Sequence, residues 1–250
     1  MKETLDTLSL GDLQLIQAKN GYRYSLDPVL LARFVRLKPG SRVVDLGAGS
    51  AILSLLLARL TPAVRVTGVE LQAEQAERGR RNIALNKLEE RVEIITGDIR
   101  RPDSCLPVGG ADLVVSNPPY RPSGCGRLAP GAERAGARHE LAGGLDEFVA
   151  AADWAVKYGG SVAFIYLAER LPALIEGMRG QQIEPKRMRM VHSRPGQSAR
   201  LVMLEGRKGG RPGLKVEAPL YIYCQDGQGR QYSDEVLRMY DLADEKRAGL

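Results

Sequence analysis

Asn117-Pro118-Pro119-Tyr120 is the segment of this sequence best suited to chemistry. Two consecutive prolines fix the backbone and remove its N–H donors, so the carbonyls around them stay free to accept hydrogen bonds. The Asn117 side-chain oxygen and the Pro118 carbonyl can take both hydrogens of a planar amino group, drawing the nitrogen lone pair out of ring conjugation. Tyr120 offers an aromatic face to a base removed from its stack, a contact worth about 1–3 kcal/mol. A rigid turn after a strand is the structural alternative, yet turn prolines do not require Asn before them and an aromatic after.

A second constellation starts at Val43-Val44-Asp45-Leu46-Gly47-Ala48-Gly49-Ser50-Ala51, where a strand turns into a helix. Gly47 and Gly49 let the backbone pass close to a ligand and free the helix N-terminus to face it. A dinucleotide fingerprint would place glycine at position 52; Ile52 stands there, which argues against NAD or FAD. Asp45 suits a ligand carrying a positive amine, although such a turn can also serve packing alone. Glu70, about 20 residues beyond Gly49 at a strand end, can accept from both hydroxyls of a ribose or remain a surface glutamate. Asp98 can accept from an adenine amino group or cap a helix.

The elements that must position these groups follow an alternation of short apolar strands and longer helices. That alternation predicts an α/β fold: a Rossmann-like, mostly parallel seven-stranded sheet with helices on both faces and a C-terminal antiparallel hairpin. Strands are expected at 42–46, 64–70, 92–96, 111–116 and 161–167, and helices at 52–60, 73–86, 145–158 and 168–178. Asn20-Gly21 suits the turn of an N-terminal hairpin over 13–24. Ser25 or Asp27 is placed to cap a helix with Pro28 in its first turn, which Pro39-Gly40 ends. Two strand-like pieces beyond Pro185 flank Arg194-Pro195-Gly196-Gln197, and 220–223 with a short amphipathic helix forms an accessory strand and cap. The chain reads as one domain over 1–250, with an N-terminal hairpin and helix (1–40), a core (41–206) and a C-terminal accessory piece (207–250). Residues 121–144 lack periodicity, and loops of that length in compact domains are usually functional or mobile.

Composition bounds the class. Hydrophobic content of 44% and charged content of 26% are those of a soluble globular protein. No apolar run reaches the ~20 residues of a membrane span, and the first residues lack a signal-peptide core, so the cytoplasm is expected. Cys105, Cys125 and Cys224 show neither disulfide nor zinc spacing, and no metal is expected. The net charge of +6 is concentrated: 185–215 holds Lys186, Arg187, Arg189, Arg194, Arg200, Arg207, Lys208, Arg211 and Lys215 against Glu205 alone, leaving the remainder slightly acidic. Such a segment is the electrostatic footprint of a protein that meets phosphates, or else a solvated edge.

With these motifs in this order, the chain resembles class I methyltransferases of the amino-methylating branch. The segment Asn20-Gly21-Tyr22-Arg23-Tyr24-Ser25-Leu26-Asp27-Pro28-Val29-Leu30-Leu31-Ala32, the run Ala137-Arg138-His139-Glu140 and the basic strand pair are similar to the bacterial tRNA (adenine-N6)-methyltransferases, whose type member modifies adenine 37 of a valine tRNA. The resemblance implies S-adenosylmethionine as cofactor, held by Leu26, Asp27, Asp45, Gly47, Gly49, Glu70, Leu71, Asp98, Ile99 and Asn117. It implies a target base held by Asn117, Pro118, Pro119 and Tyr120. Contacts to tRNA are expected from Arg121, Arg138 and His139, with Arg127 and Arg134 in the same loop, and from Lys186, Arg187, Arg194 and Arg200. No obligate protein partner is evident. Ala51 departs from the family pattern by replacing its third glycine.

Three rivals bear on the reading. A protein glutamine-N5 methyltransferase uses the same Asn-Pro-Pro-Tyr logic but carries a helical N-terminal domain, and the roughly 40 residues before Asp45 are too few for one. A DNA adenine methyltransferase usually needs a target-recognition insert that no segment here supplies. A non-catalytic RNA-binding module on the same scaffold would have no use for the intact Asn117–Tyr120 constellation.

Overall fold

An antiparallel hairpin of β1 (Glu3–Leu8) and β2 (Leu13–Ala18) precedes everything else in the computed structural model, which describes residues 3–8, 10–18, 25–120, 144–225 and 231–240. The chain reverses through the 3-10 turn Leu10–Asp12, where Asp12 takes φ 52°, a conformation aspartate tolerates better than most residues. This hairpin precedes the one expected around Asn20-Gly21, and that dipeptide lies outside the described residues. Helix α1 (Asp27–Phe34) has Pro28 in its first turn, but its N-cap is Leu26 and no side chain caps it.

The parallel core follows as β3 (Arg42–Leu46), α2 (Ile52–Leu60), β4 (Arg65–Glu70), α3 (Ala73–Leu85), β5 (Val92–Thr96) and β6 (Ala111–Ser116). After it come α4 (Leu145–Ala155), β7 (Val156–Leu167), α5 (Leu171–Gly180), β8 (Ile183–His192) and β9 (Ala199–Lys208). Short strands β10 (Lys215–Val216) and β11 (Leu220–Tyr221) and helix α6 (Asp234–Tyr240) complete the described elements. The sheet runs β5-β4-β3-β6-β7-β9-β8-β10, with β11 also on β8. Because β9 is inserted antiparallel between β7 and β8, β8 itself runs parallel to the core. The expected seven strands are β3 to β9, and β10 and β11 extend the far edge.

Two boundaries differ from the sequence reading for local reasons. Helix α4 stops at Ala155, because β-branched Val156 is already extended (ψ 136°) and pairs with Ala111. Gly159 then takes φ 74°, and the register shifts before Ser161 pairs with Leu113, so 156–160 is an irregular start of β7 rather than a helix end. Strand β9 runs to Lys208, past the boundary expected at 206.

Each face of the sheet carries its own apolar core. Val43, Val66, Ile94, Val115 and Ile165 pack with α1, α2, the hairpin and Val236 of α6 on one side. Val44, Leu46, Val69, Val114 and Phe164 pack with α4 and α5 on the other. Alternation along each strand sends successive side chains to opposite faces. Helix α2 is buried from Ile52 through Ala58, as an all-round apolar helix must be. No helix among the described residues is long and apolar enough to cross a membrane.

Candidate active site

Strand β3 lies between β4 and β6, so the sheet order reverses there and a crevice opens at the carboxyl ends, the ligand-binding position of open α/β sheets. Register sets the level of each group. Leu46 pairs with Val69 and with Ser116, which puts the next residues, Gly47, Glu70 and Asn117, side by side at the rim.

The glycine turn is shaped by its neighbours. Gly47 and Gly49 adopt φ 73° and 56°, and the N–H groups of Gly47 and Ala48 donate to the Val69 carbonyl. A Cβ on Gly49 would meet nothing within 4 Å, so this stretch of backbone faces open space as a ligand cradle requires. Ala51, in place of the third glycine, takes φ 70° while fully buried, a left-handed conformation costing about 1–2 kcal/mol for a residue with a Cβ. Behind the turn, a Cβ on Gly68 would approach Ala48 Cβ to 2.7 Å and run into Ile94 Cδ1, so only glycine lets the loop lie against β4.

Two acids are buried beneath this turn. Asp45 is 1% exposed and accepts from Ser54 Oγ at 2.7 Å; burial lifts its pKa to about 7, the Ser54 hydrogen bond opposes the rise, and the Glu70 charge adds to it. Glu70 accepts from the Gly49 N–H at 2.9 Å through Oε2 and from the Gln72 N–H at 2.8 Å through Oε1. Burial raises its pKa too, against those backbone donors. Among the described residues no basic side chain offsets either charge. Two desolvated acids without a cation favour a positively charged ligand, and each Glu70 oxygen keeps a second acceptor direction for hydroxyls. The fit is to a ligand with a cationic end and a diol.

Asn117 and Tyr120 follow β6. Ser116 Oγ donates to the Leu46 carbonyl at 2.7 Å, tying the start of the motif to β3. The Tyr120 hydroxyl lies 2.7 Å from Asp27 Oδ2 and 2.9 Å from Asn117 Oδ1, and its ring meets the buried Tyr166 edge-on at 5.9 Å. Asp27 thus turns to Tyr120 rather than capping α1. Leu26 packs against the first core, Leu71 is half-buried beside Glu70, and Ile99 is buried in the second core. Asp98 is gripped by Arg100, with Nη2 2.6 Å from Oδ2 and Nε 2.9 Å from Oδ1, which holds its carboxyl below the usual range.

The residues expected to meet RNA are not all available for it. Arg187 contacts Glu205 at 2.5 Å and Glu217 at 3.4 Å, donates to the Phe34 carbonyl and stacks over the Phe34 ring at 3.9 Å, so it joins β8 to α1 as a structural residue. Arg189 pairs with Glu235, Lys208 with Asp153, and Lys186 donates to the Arg211 carbonyl. The segment also divides in space: Arg194 and Arg200 flank the β8–β9 turn at the site rim, whereas Lys186 and Arg207 lie toward the opposite end of the strands. Arg121, Arg127, Arg134, Arg138 and His139 fall outside the described residues. A groove of about 360 Å³ bounded by Arg42, Arg65 and Val92 opens at the amino ends of the strands, away from this chemistry.

Sequence reasoning missed Gly68, Ser54 and Asn82. A lone serine in the apolar run of α2 was a usable signal for Ser54. Asn82 is fully buried; its Nδ2 donates to the Ser50 carbonyl at 3.0 Å, and its Oδ1 accepts from the Ile16 N–H at 2.6 Å, joining α3 to the glycine turn and β2. Nothing in the spacing of α3 announces that partner.

A switch-point crevice with a glycine turn over two buried acids and an Asn-Pro-Pro-Tyr segment at the neighbouring strand end is the arrangement of a class I methyltransferase, and the comparisons agree. Residues 27–130 match the methyltransferase small domain family. A predicted O-methyltransferase of Agrobacterium tumefaciens shares the fold at TM-score 0.70, with 23% identity over 86% of this chain and 95% of that one. A geranyl diphosphate C-methyltransferase of Streptomyces coelicolor in complex with S-adenosyl-L-homocysteine does so at TM-score 0.52, with 14% identity over 72% of this chain and 78% of that one. The chain is 31% identical over 216 residues to the tRNA1(Val) (adenine(37)-N6)-methyltransferase of Aeromonas hydrophila, covering 85% of this chain and 86% of the relative. It is 30% identical over 210 residues to that of Porphyromonas gingivalis, covering 81% of each. The chain belongs to the tRNA1(Val) (adenine(37)-N6)-methyltransferase family.

Proposed function

We propose that this protein transfers a methyl group from S-adenosylmethionine to N6 of an adenine in tRNA, at position 37 beside the anticodon, as the names of its relatives indicate. The observation that carries the reading is the Asn117–Tyr120 motif at the rim of β6, level with Gly47 and Glu70. Asp45 faces the cationic amino-acid end of the cofactor, Glu70 its ribose, and Asp98 its adenine, with Leu26, Asp27, Leu71 and Ile99 around it. When bound, S-adenosylmethionine supplies an electrophilic methyl carbon.

The protein's part is positioning. Asn117 Oδ1 and the Pro118 carbonyl accept the two amine hydrogens and aim the nitrogen lone pair, while Tyr120 supports the flipped base. Proximity and preorganised acceptors suffice for such a displacement, and no covalent intermediate with the protein is needed. We read the whole chain, 1–250, as one domain acting in the cytoplasm, where the hairpin, α1 and α6 share one core with the sheet.

Methyl transfer from labelled cofactor to total tRNA and to protein extract, followed by nucleoside and amino-acid analysis, tests the reading. N6-methyladenosine in tRNA, lost when adenine 37 is replaced, is the expected result. Label on glutamine, or no binding of S-adenosylmethionine by calorimetry, would overturn it.

A further inference from the structure

Four of the nine tyrosines lie in one short stretch at the C-terminal side, Tyr221, Tyr223, Tyr232 and Tyr240. They are gathered at the end of β8. Strand β11 pairs with β8 at Val191 and His192, and the N–H groups of Ile222 and Tyr223 then donate to the carbonyls of His192 and Ser193. Tyr223 bridges to Tyr232, and Ser233 Oγ donates to the Tyr221 carbonyl and lies 3.3 Å from the Val236 N–H at the start of α6. The rings of Tyr223 and Tyr232 stack at 5.5 Å with an interplanar angle of 6°, and Tyr240 stacks on Tyr232 at 6.2 Å. His192 tilts against Tyr221 at 5.5 Å, and the Arg194 guanidinium lies 5.6 Å from the Tyr223 centroid.

This assembly differs from a core. Its rings are only partly buried: Tyr232 and Tyr240 pack one side against the first core, none is fully enclosed, and Arg200 stands exposed near them at the start of β9. It also shares the catalytic rim. Since β8 runs parallel to β6, the end at His192 points the same way as the end at Asn117. Four strand spacings of about 4.8 Å separate β6 from β11, and the register carries His192 and Tyr221 about three residues, roughly 10 Å, past the level of Asn117, so the tyrosines lie roughly 20–25 Å from Asn117. Stacked aromatics flanked by arginines are the chemistry of a surface that holds unpaired bases and the phosphates between them.

We propose that the tyrosines of 221–240, with Arg194 and Arg200, form a stacking platform for unpaired nucleotides of the RNA substrate that flank the target base. The proposal rests on the tRNA reading above and gives that substrate a second anchor. The target base enters at Asn117, and its neighbours in the same single-stranded loop lie along the rim to Tyr223. The platform holds the strand without selecting sequence, because every base has a face to stack.

Two measurements keep the platform and the tRNA reading apart: methyl transfer to tRNA, and fluorescence anisotropy with a labelled single-stranded oligo(A) RNA. Tyr223→Ala is expected to weaken oligonucleotide binding and to raise KM for tRNA at least tenfold, with unchanged affinity for S-adenosylmethionine. Tyr223→Phe, which keeps the ring, should restore both. Arg200→Glu changes an exposed residue and covers the case in which Tyr223→Ala fails to fold; it should weaken RNA binding by a similar factor and make its loss with salt shallower, because fewer counterions are released. If the wild type methylates tRNA and folded Tyr223→Ala and Arg200→Glu match it in KM and RNA affinity, the platform is a mere packing cap and the proposal falls alone. If the wild type binds the oligonucleotide through Tyr223 without methylating tRNA, the tRNA reading falls and the platform stands. No RNA binding by the wild type would overturn both.

Discussion

The Tyr120 hydroxyl stands 2.7 Å from the Asp27 carboxylate and 2.9 Å from the Asn117 side-chain oxygen, so one group joins the first helix to the end of β6. A hydroxyl has one hydrogen, so Tyr120 donates to one of these two acceptors at a time, and that bond holds the ring in place. Tyr120→Phe keeps the ring and its edge contact with Tyr166 but loses this clamp. Turnover should fall about tenfold, the ~1.4 kcal/mol of one hydrogen bond, with KM for tRNA little changed. Tyr120→Ala should raise KM as well. Steady-state kinetics on both variants decide the matter, and a Phe variant with wild-type turnover would remove the clamp from the mechanism.

Asn117→Ala removes the side-chain acceptor while leaving the two prolines in place. Loss of one preorganised acceptor at a reacting centre costs about 10²–10³ in turnover. Cofactor affinity measured by calorimetry should stay within about twofold. Equal loss of both quantities would assign Asn117 to folding instead.

Asp45 is expected to make stability and cofactor binding pull in opposite directions with pH. Its folded pKa of about 7 lies above its ordinary value of 3.8, so the folded state keeps a proton the unfolded state releases. The unliganded protein should lose stability as pH rises from about 4 to about 7 and level off above, with a slope of at most ~1.4 kcal/mol per pH unit inside that window. Over the same window the ionised carboxylate appears, and affinity for a cationic cofactor should rise. Asp45→Asn should flatten the first trend in urea unfolding and weaken binding at pH 8 at least tenfold. A variant that retains wild-type binding at pH 8 would separate Asp45 from the cofactor.

Asn82 and Asn86 act as a pair. Their amides receive the N–H groups of Ile16 and Gln14 and donate to the carbonyls of the same residues, so α3 offers β2 the hydrogen bonds of a neighbouring strand. The spacing permits this: four helical residues rise about 6 Å, close to the ~6.7 Å of two strand residues. Asn82→Ala should cost about 1–3 kcal/mol by leaving buried backbone groups unpaired, and it should weaken cofactor binding because Ser50 loses its donor. Asn86→Ala, nearer the surface, should cost less and leave the cofactor untouched. Chemical denaturation and calorimetry on the two variants test the ordering.

Arg187→Ala should behave as a stability mutant. Removing it strands Glu205 and leaves Glu217 only the longer contact with Arg36 at 3.9 Å, and breaking a largely buried pair costs about 3 kcal/mol. The melting temperature should fall while the RNA affinity of the folded variant holds, the opposite of Arg200→Glu. Selective loss of RNA binding at unchanged stability would return Arg187 to the RNA surface.

The order of residues alone is enough to specify the alternation of strands and helices, the boundaries of β3, α2, β5 and β6, and the placing of the glycine turn and the Asn117–Tyr120 motif at strand ends. Those features follow from side-chain periodicity and from the backbone demands of glycine and proline, which act between chain neighbours. Packing in three dimensions was needed to show that β9 slips between β7 and β8, that Asp27 serves Tyr120 rather than its own helix, and that Asn82 reaches Ile16 sixty-six residues away. Packing also divided the basic segment, sending Arg187 into an ion-pair network and Arg194 and Arg200 to the site rim. A charge in a sequence does not name its partner. Partner choice depends on which elements pack together, and that is settled by burial summed over the whole chain rather than by any local spacing.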